Sequence, residues 1–124
     1  MILLRLISNI VKRMPLSLAL WLGEYIGMLA YLAFPTRRKT AMTNLHLAFP
    51  EKSDGELKAI ARQMARNMGQ NMTEFFRLPL ITPQNLGRYV EWSGLEHLES
   101  ALKHGRGAFI LSAHFGNWEL MAYR

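Results

Sequence analysis

No cysteine occurs among the 124 residues. Disulfide scaffolds and thiolate metal sites are therefore excluded, and a chain that faces the cytoplasm or a membrane fits. Charged residues are also few, at 19% of the chain, while half of it is hydrophobic. That balance argues against wholesale disorder. Negative charge is scarcest in the first third. Residues 1–39 carry Arg5, Lys12, Arg13, Arg37, Arg38 and Lys39 against one carboxylate, Glu24. Beyond residue 39, nine cations and eight carboxylates nearly cancel. The basic excess thus flanks the most apolar part of the chain. This pattern suits an anionic membrane surface and points away from nucleic acid, whose binders place cations on a recognition helix or a basic arm.

The first thirteen residues have helical period. Leu3, Leu6, Ile7, Ile10 and Met14 recur at three- and four-residue spacing, with Arg5, Ser8, Asn9, Lys12 and Arg13 elsewhere on the helix. An apolar stripe set against basic residues is the pattern of an interfacial helix. Residues 16–34 hold one charge, Glu24, between Pro15 and Pro35. At ~1.5 Å per residue this run reaches ~28 Å, near the ~30 Å hydrocarbon core of a bilayer. A single span and a helix hairpin lying in one leaflet both fit. A carboxylate facing lipid near the middle would cost a few kcal/mol.

Thr36 to Phe49 has helical character, and Pro50 ends it. Ser53 and Glu56 then form a capping-box signature. A stripe of Leu57, Ile60, Ala61, Met64, Ala65, Met68, Met72, Phe75 and Phe76 predicts a long amphipathic helix that ends near Leu78-Pro79. Such a stripe is expected to pack on other helices; its methionines would also suit an acyl-chain groove. After Pro83 the texture changes. Arg88–Trp92 reads as a strand, Leu95–Lys103 as a helix stopped by Gly105, and Gly107–Ala113 as a buried strand. Together they predict one βαβ unit and an α/β fold class.

His114 follows the second predicted strand, where ligands bind in open α/β sheets. Gly116 permits a tight turn, and Asn117 is a good N-cap for a helix from Trp118 onward. With His114 in the turn and Glu119 in the first helical turn, the carboxylate can accept one imidazole N–H. The other ring nitrogen is then left as a base. As a bare pattern, His-x4-Glu also arises in structural pairs. The remaining histidines, His46, His97 and His104, show no metal-ligand spacing, so no metal is expected.

The stretch "LSAHFGNWEL", preceded by "RRKTAMTNLHLAFPEKSDGELKAIARQMARNMGQNMTEFFRLP", resembles the late acyltransferases of lipid A biosynthesis. These belong to the glycerolipid acyltransferase superfamily, marked by a His-x4-Asp/Glu motif. The resemblance runs along essentially the whole chain. It implies that His114 is the general base, oriented by Glu119, with Gly116 and Asn117 supporting the turn and cap. It implies transfer of a fatty acyl group from an acyl carrier protein thioester to a hydroxyl of a lipid A precursor, without a cofactor. An inner-membrane location with the site facing the cytoplasm follows in the same way. Another glycolipid or a lysophospholipid as acceptor, and a membrane-bound helical protein without catalysis, are the alternatives. The expected organisation is a membrane-anchoring segment over 1–35, a helical region over 36–83 and the start of an acyltransferase core over 84–124. Family members are more than twice as long. The resemblance therefore implies an incomplete domain, inactive by itself, whose βαβ unit is the first of an acyltransferase sheet.

Overall fold

In the computed structural model, which describes residues 2–113, 115–118 and 120, the ordered elements are helical. Helix α1 spans Ile2–Arg13, α2 Leu16–Ala33, α3 Pro35–Ala48, α4 Asp54–Arg77 and α5 Leu95–Lys103. Two 3-10 turns lie at Leu78–Leu80 and Leu86–Arg88. The chain divides into two units, Met1–Leu78 and Pro79–Arg124.

Local chemistry sets the helix ends. Pro15 separates α1 from α2, because a proline disfavours helical backbone at the residue before it. Pro35 stops α2 in the same way and then occupies the first turn of α3, where its missing N–H costs nothing. The capping box at the start of α4 forms as its sequence predicts. The Glu56 amide donates to Ser53 Oγ at 3.4 Å, and the Ser53 amide donates to the Glu56 carboxylate at 2.9 Å. The Ser53 hydroxyl, which donates to the Glu56 carboxylate at 2.7 Å, and then the Ser53 amide hold the Glu56 carboxyl below its ordinary range, with Lys52 adding a smaller pull in the same direction.

The first unit is built on an antiparallel crossing of α2 and α4. Small residues recur every fourth position on both helices: Ala19, Gly23 and Gly27 on α2, and Ala61, Ala65, Gly69 and Thr73 on α4. The backbones come so close that a Cβ on Gly69 would strike the Gly23 carbonyl and lie 3.0 Å from the Gly27 amide nitrogen. On Gly23 it would strike Thr73 and come within 2.7 Å of the Gly69 carbonyl. Small-residue seams of this kind let helices meet through backbone contact. Ala19, Leu57, Ala61, Ala65 and Thr73 are buried, and Leu57 is wholly so.

Glu24 sits on this seam. The Gln70 side-chain amide of α4 donates to its carboxylate, so the one charge in the apolar run has an internal partner. Helix α1 is held at the other end of α4. Ser8 Oγ donates to the Phe76 carbonyl at 3.0 Å. The Arg77 guanidinium donates to the Val11 and Met14 carbonyls at the end of α1, of which the Val11 carbonyl also accepts the Met14 amide.

The stripe predicted on α4 divides. Leu57, Ala61 and Ala65 pack inward, whereas Met64, Met68, Met72 and Phe75 are exposed. The methionine row lies about 60° around the helix from the small-residue row. A seam made by backbone contact is too narrow to cover both rows. On α1, Leu6 and Ile10 of the predicted stripe are likewise exposed.

The expected α/β fold class is not found: no strand is present among the described residues. Helix α5 forms as expected, but neither flanking segment joins a sheet. At the first, Arg88 lies in a 3-10 turn, and the Arg88 and Tyr89 amides donate to the Asn85 and Leu86 carbonyls at 3.0 and 2.9 Å. These local bonds occupy the amides that a strand would present to a neighbour. At the second, Gly107 has left-handed backbone, φ 76°, which breaks the extended run at its start. Phe109, Ile110 and Leu111 are exposed, so neither face has the covering layer that a parallel sheet requires. The βαβ unit, and with it the start of an acyltransferase sheet, is replaced by one helix between irregular segments.

Candidate functional site

The candidate site follows α5 in the second unit. Gly94, with φ 78°, precedes α5, and Gly105, with φ 68°, ends it. The Gly105 amide donates to the Leu102 carbonyl at 3.0 Å, the kind of bond that closes a helix at a left-handed glycine. The exposed run to Ala113 leads into the motif.

His114 and Glu119, the expected base and its orienting carboxylate, lie outside the described residues. Around them, Gly116 has φ 60°, a conformation open to glycine at little cost. The Leu120 amide donates to the Asn117 carbonyl at 3.1 Å, and Trp118 and Leu120 have 3-10 backbone. Asn117 and Trp118 are half-buried, and Phe115 is exposed. The described motif residues 115–118 thus form a turn that leads into 3-10 backbone, beyond a segment without sheet pairing.

A second feature lies wholly in the helical unit and was not anticipated from the sequence. A cleft of 470 Å³ opens where the last turn of α2, the first half of α3 and the early turns of α4 meet. Arg38, Lys39, Lys58 and Arg62 line it. Lys58 and Arg62 stand one turn apart on α4, a spacing that puts them on one face. That pairing was visible in the sequence. Its approach to Arg38 and Lys39 on another helix was not.

Residues 2–123 match a family described as "Bacterial lipid A biosynthesis acyltransferase". The lipid A biosynthesis myristoyltransferase of Escherichia coli is 31% identical over 93 residues, which is 75% of this chain and 28% of that protein. The lipid A biosynthesis lauroyltransferase of the same organism is 27% identical over 113 residues, covering 91% of this chain and 37% of that protein. A phosphatidylinositol mannoside acyltransferase of Mycobacterium tuberculosis is 41% identical over 54 residues, 42% of this chain and 17% of that protein. The chain therefore spans well under half the length of the curated relatives it matches. No solved structure matches it. With nearly every residue inside the match, the chain belongs to the bacterial lipid A biosynthesis acyltransferase family.

Proposed function

We propose that the protein takes part in transfer of a fatty acyl group from an acyl carrier protein thioester to a hydroxyl of a lipid A precursor. The observation that carries this reading is the family match over residues 2–123, which includes the whole His-x4-Glu motif. The His114 imidazole takes the hydroxyl proton as the oxygen attacks the thioester carbonyl. The tetrahedral intermediate collapses, the carbon–sulfur bond breaks, and the imidazolium returns the proton to the leaving thiolate. Glu119 accepts the hydrogen bond from the other ring nitrogen, which fixes the tautomer and stabilises the imidazolium. Gly116 and Asn117 shape the turn that brings the two together.

Membrane association is part of the same proposal. Helix α2 is long and apolar enough to cross a bilayer by length and composition. Its packing favours a shallower position. Ala65 and Gly69 of α4 lie against the middle of α2, and the neighbouring Arg66 is exposed at that level. An arginine at the bilayer centre costs about 2.5–3.5 kcal/mol on insertion scales. The pair is better served by lying along one leaflet, with the free face of α2 in lipid and the polar face of α4 in water. The proposed location is the inner membrane, with the motif on the cytoplasmic side.

The phosphatidylinositol mannoside acyltransferase match favours a second reading, in which the acceptor is another glycolipid. Membranes containing the chain completed with the C-terminal part of a family member, supplied with radiolabelled acyl carrier protein thioester and either acceptor, distinguish the two by the labelled product. His114→Ala is expected to lower transfer by about 10²–10⁴-fold, and Glu119→Gln by a similar or smaller factor. Near-normal turnover by a folded His114→Ala protein rules out the mechanism.

A further inference from the structure

We infer that the basic cleft of the helical unit is a seat for the phosphate of an anionic lipid. This does not rest on acyl transfer, but it rests on the proposed position of α2 in one leaflet. Four cations converge on it from two helices, Arg38 and Lys39 from α3, Lys58 and Arg62 from α4, and no carboxylate lines it. None of the four forms an ion pair among the described residues. A solvated cationic face would spread its charges outward along one helix, whereas these surround a single concavity. The Arg38 guanidinium lies 5.8 Å from the centre of the Tyr31 ring, which restrains it at the cleft wall. Apolar groups explain why the ligand is a lipid. Tyr31, Leu32, Pro35 and Met42 complete the lining, and Leu32 continues onto the exposed apolar face of α2 with Leu29 and Ile26. A phosphate among the cations can thus keep its glycerol and first acyl carbons on an apolar surface. The cleft volume suits a headgroup, being within the ~300–1,000 Å³ usual for small-molecule sites. With α2 lying in one leaflet, the cleft at its end falls at headgroup depth.

The test is native mass spectrometry of the full chain in non-ionic detergent, titrated with phosphatidylglycerol and with phosphatidylcholine of the same acyl chains. Phosphatidylglycerol should be retained at one molecule per chain, with at least about tenfold preference over the zwitterionic lipid. Each cation near a lipid surface is worth about fivefold in binding. Arg38→Gln, Lys39→Gln, Lys58→Gln and Arg62→Gln combined should abolish the preference. A control that removes the same charge elsewhere, at Arg66, Arg88, Lys103 and Arg106, should keep it. Circular dichroism checks that both variants remain helical. Equal loss in the control would reduce the effect to net charge and overturn the seat. A preference that survives in the cleft variant overturns it as well. Displacement of the lipid by inorganic phosphate at the lipid's own concentration would assign the cleft to a soluble phosphate and overturn the lipid assignment.

Discussion

Gly69 carries more of the first unit than its lack of a side chain suggests. In a helix interior, glycine is less favourable than alanine by about 1 kcal/mol, so Gly69→Ala on an isolated helix would stabilise it. Here the added methyl meets the Gly23 backbone carbonyl, which has no rotamer to move away. The helices must separate, and the contacts on both sides of the crossing loosen. A net loss of about 1–3 kcal/mol is expected, as for other overpacked sites. Gly87→Ala is the control, since a Cβ there meets nothing within 4 Å; a change within about 0.5 kcal/mol is expected for it. Denaturant unfolding of the detergent-solubilised protein compares the two. A Gly69→Ala protein as stable as the parent would show that the close crossing does not hold the unit together. Glu24 shows the same dependence on a distant residue. It reads as an isolated carboxylate in an apolar run, and its partner, Gln70, lies 46 positions away.

Elements were legible in the sequence to the degree that their bonds are local. The helices declare themselves through 3.6-residue spacing, the prolines at 15, 35 and 50, the Ser53–Glu56 box and Gly105, and each signal acts within a turn of its residue. Strands have no such self-sufficiency. "GAFILSA" has the composition of a buried strand, but a strand's hydrogen bonds run to another segment, and no sheet neighbour is present among the described residues. Side-chain type thus fixed the helices and misjudged the sheet. The motif was legible as a pattern of residue types, while His114 and Glu119 lie outside the described residues, so their geometry stays a proposal. The basic cleft was illegible because its cations come from segments about 20 residues apart. A measurable contrast follows for the second unit. Amides of 109–112 make no backbone hydrogen bonds among the described residues, while those of α4 lie in a 24-residue helix packed on α2. Hydrogen exchange should be near the unprotected rate over 109–112 and strongly slowed over Leu57–Thr73. Comparable protection in the two segments would contradict this assignment of structure.

At the scale of the molecule, the question is how a helical unit with so much exposed apolar surface meets a membrane. Trp21, Tyr25, Ile26 and Leu29 of α2 and Met68 and Met72 of α4 are exposed together with Arg62 and Arg66. A transbilayer α2 would leave α1 on one side and α3 on the other, and would draw the middle of α4 into hydrocarbon. A one-leaflet arrangement keeps α1, α3 and the polar face of α4 on the same side. The absence of cysteine makes the distinction direct, because single-cysteine variants need no other thiol removed. Asn9 on α1 and Thr43 on α3 are exposed and lie beyond opposite ends of α2. Asn9→Cys and Thr43→Cys, each in sealed vesicles of one orientation, should react alike with a membrane-impermeant maleimide: both from outside, or both only after the vesicles are opened. Labelling of one from outside and of the other only after opening would establish a span. That result would require α4 to leave α2 on insertion, since Arg66 at mid-bilayer and the Gly23–Gly69 contact are hard to keep together.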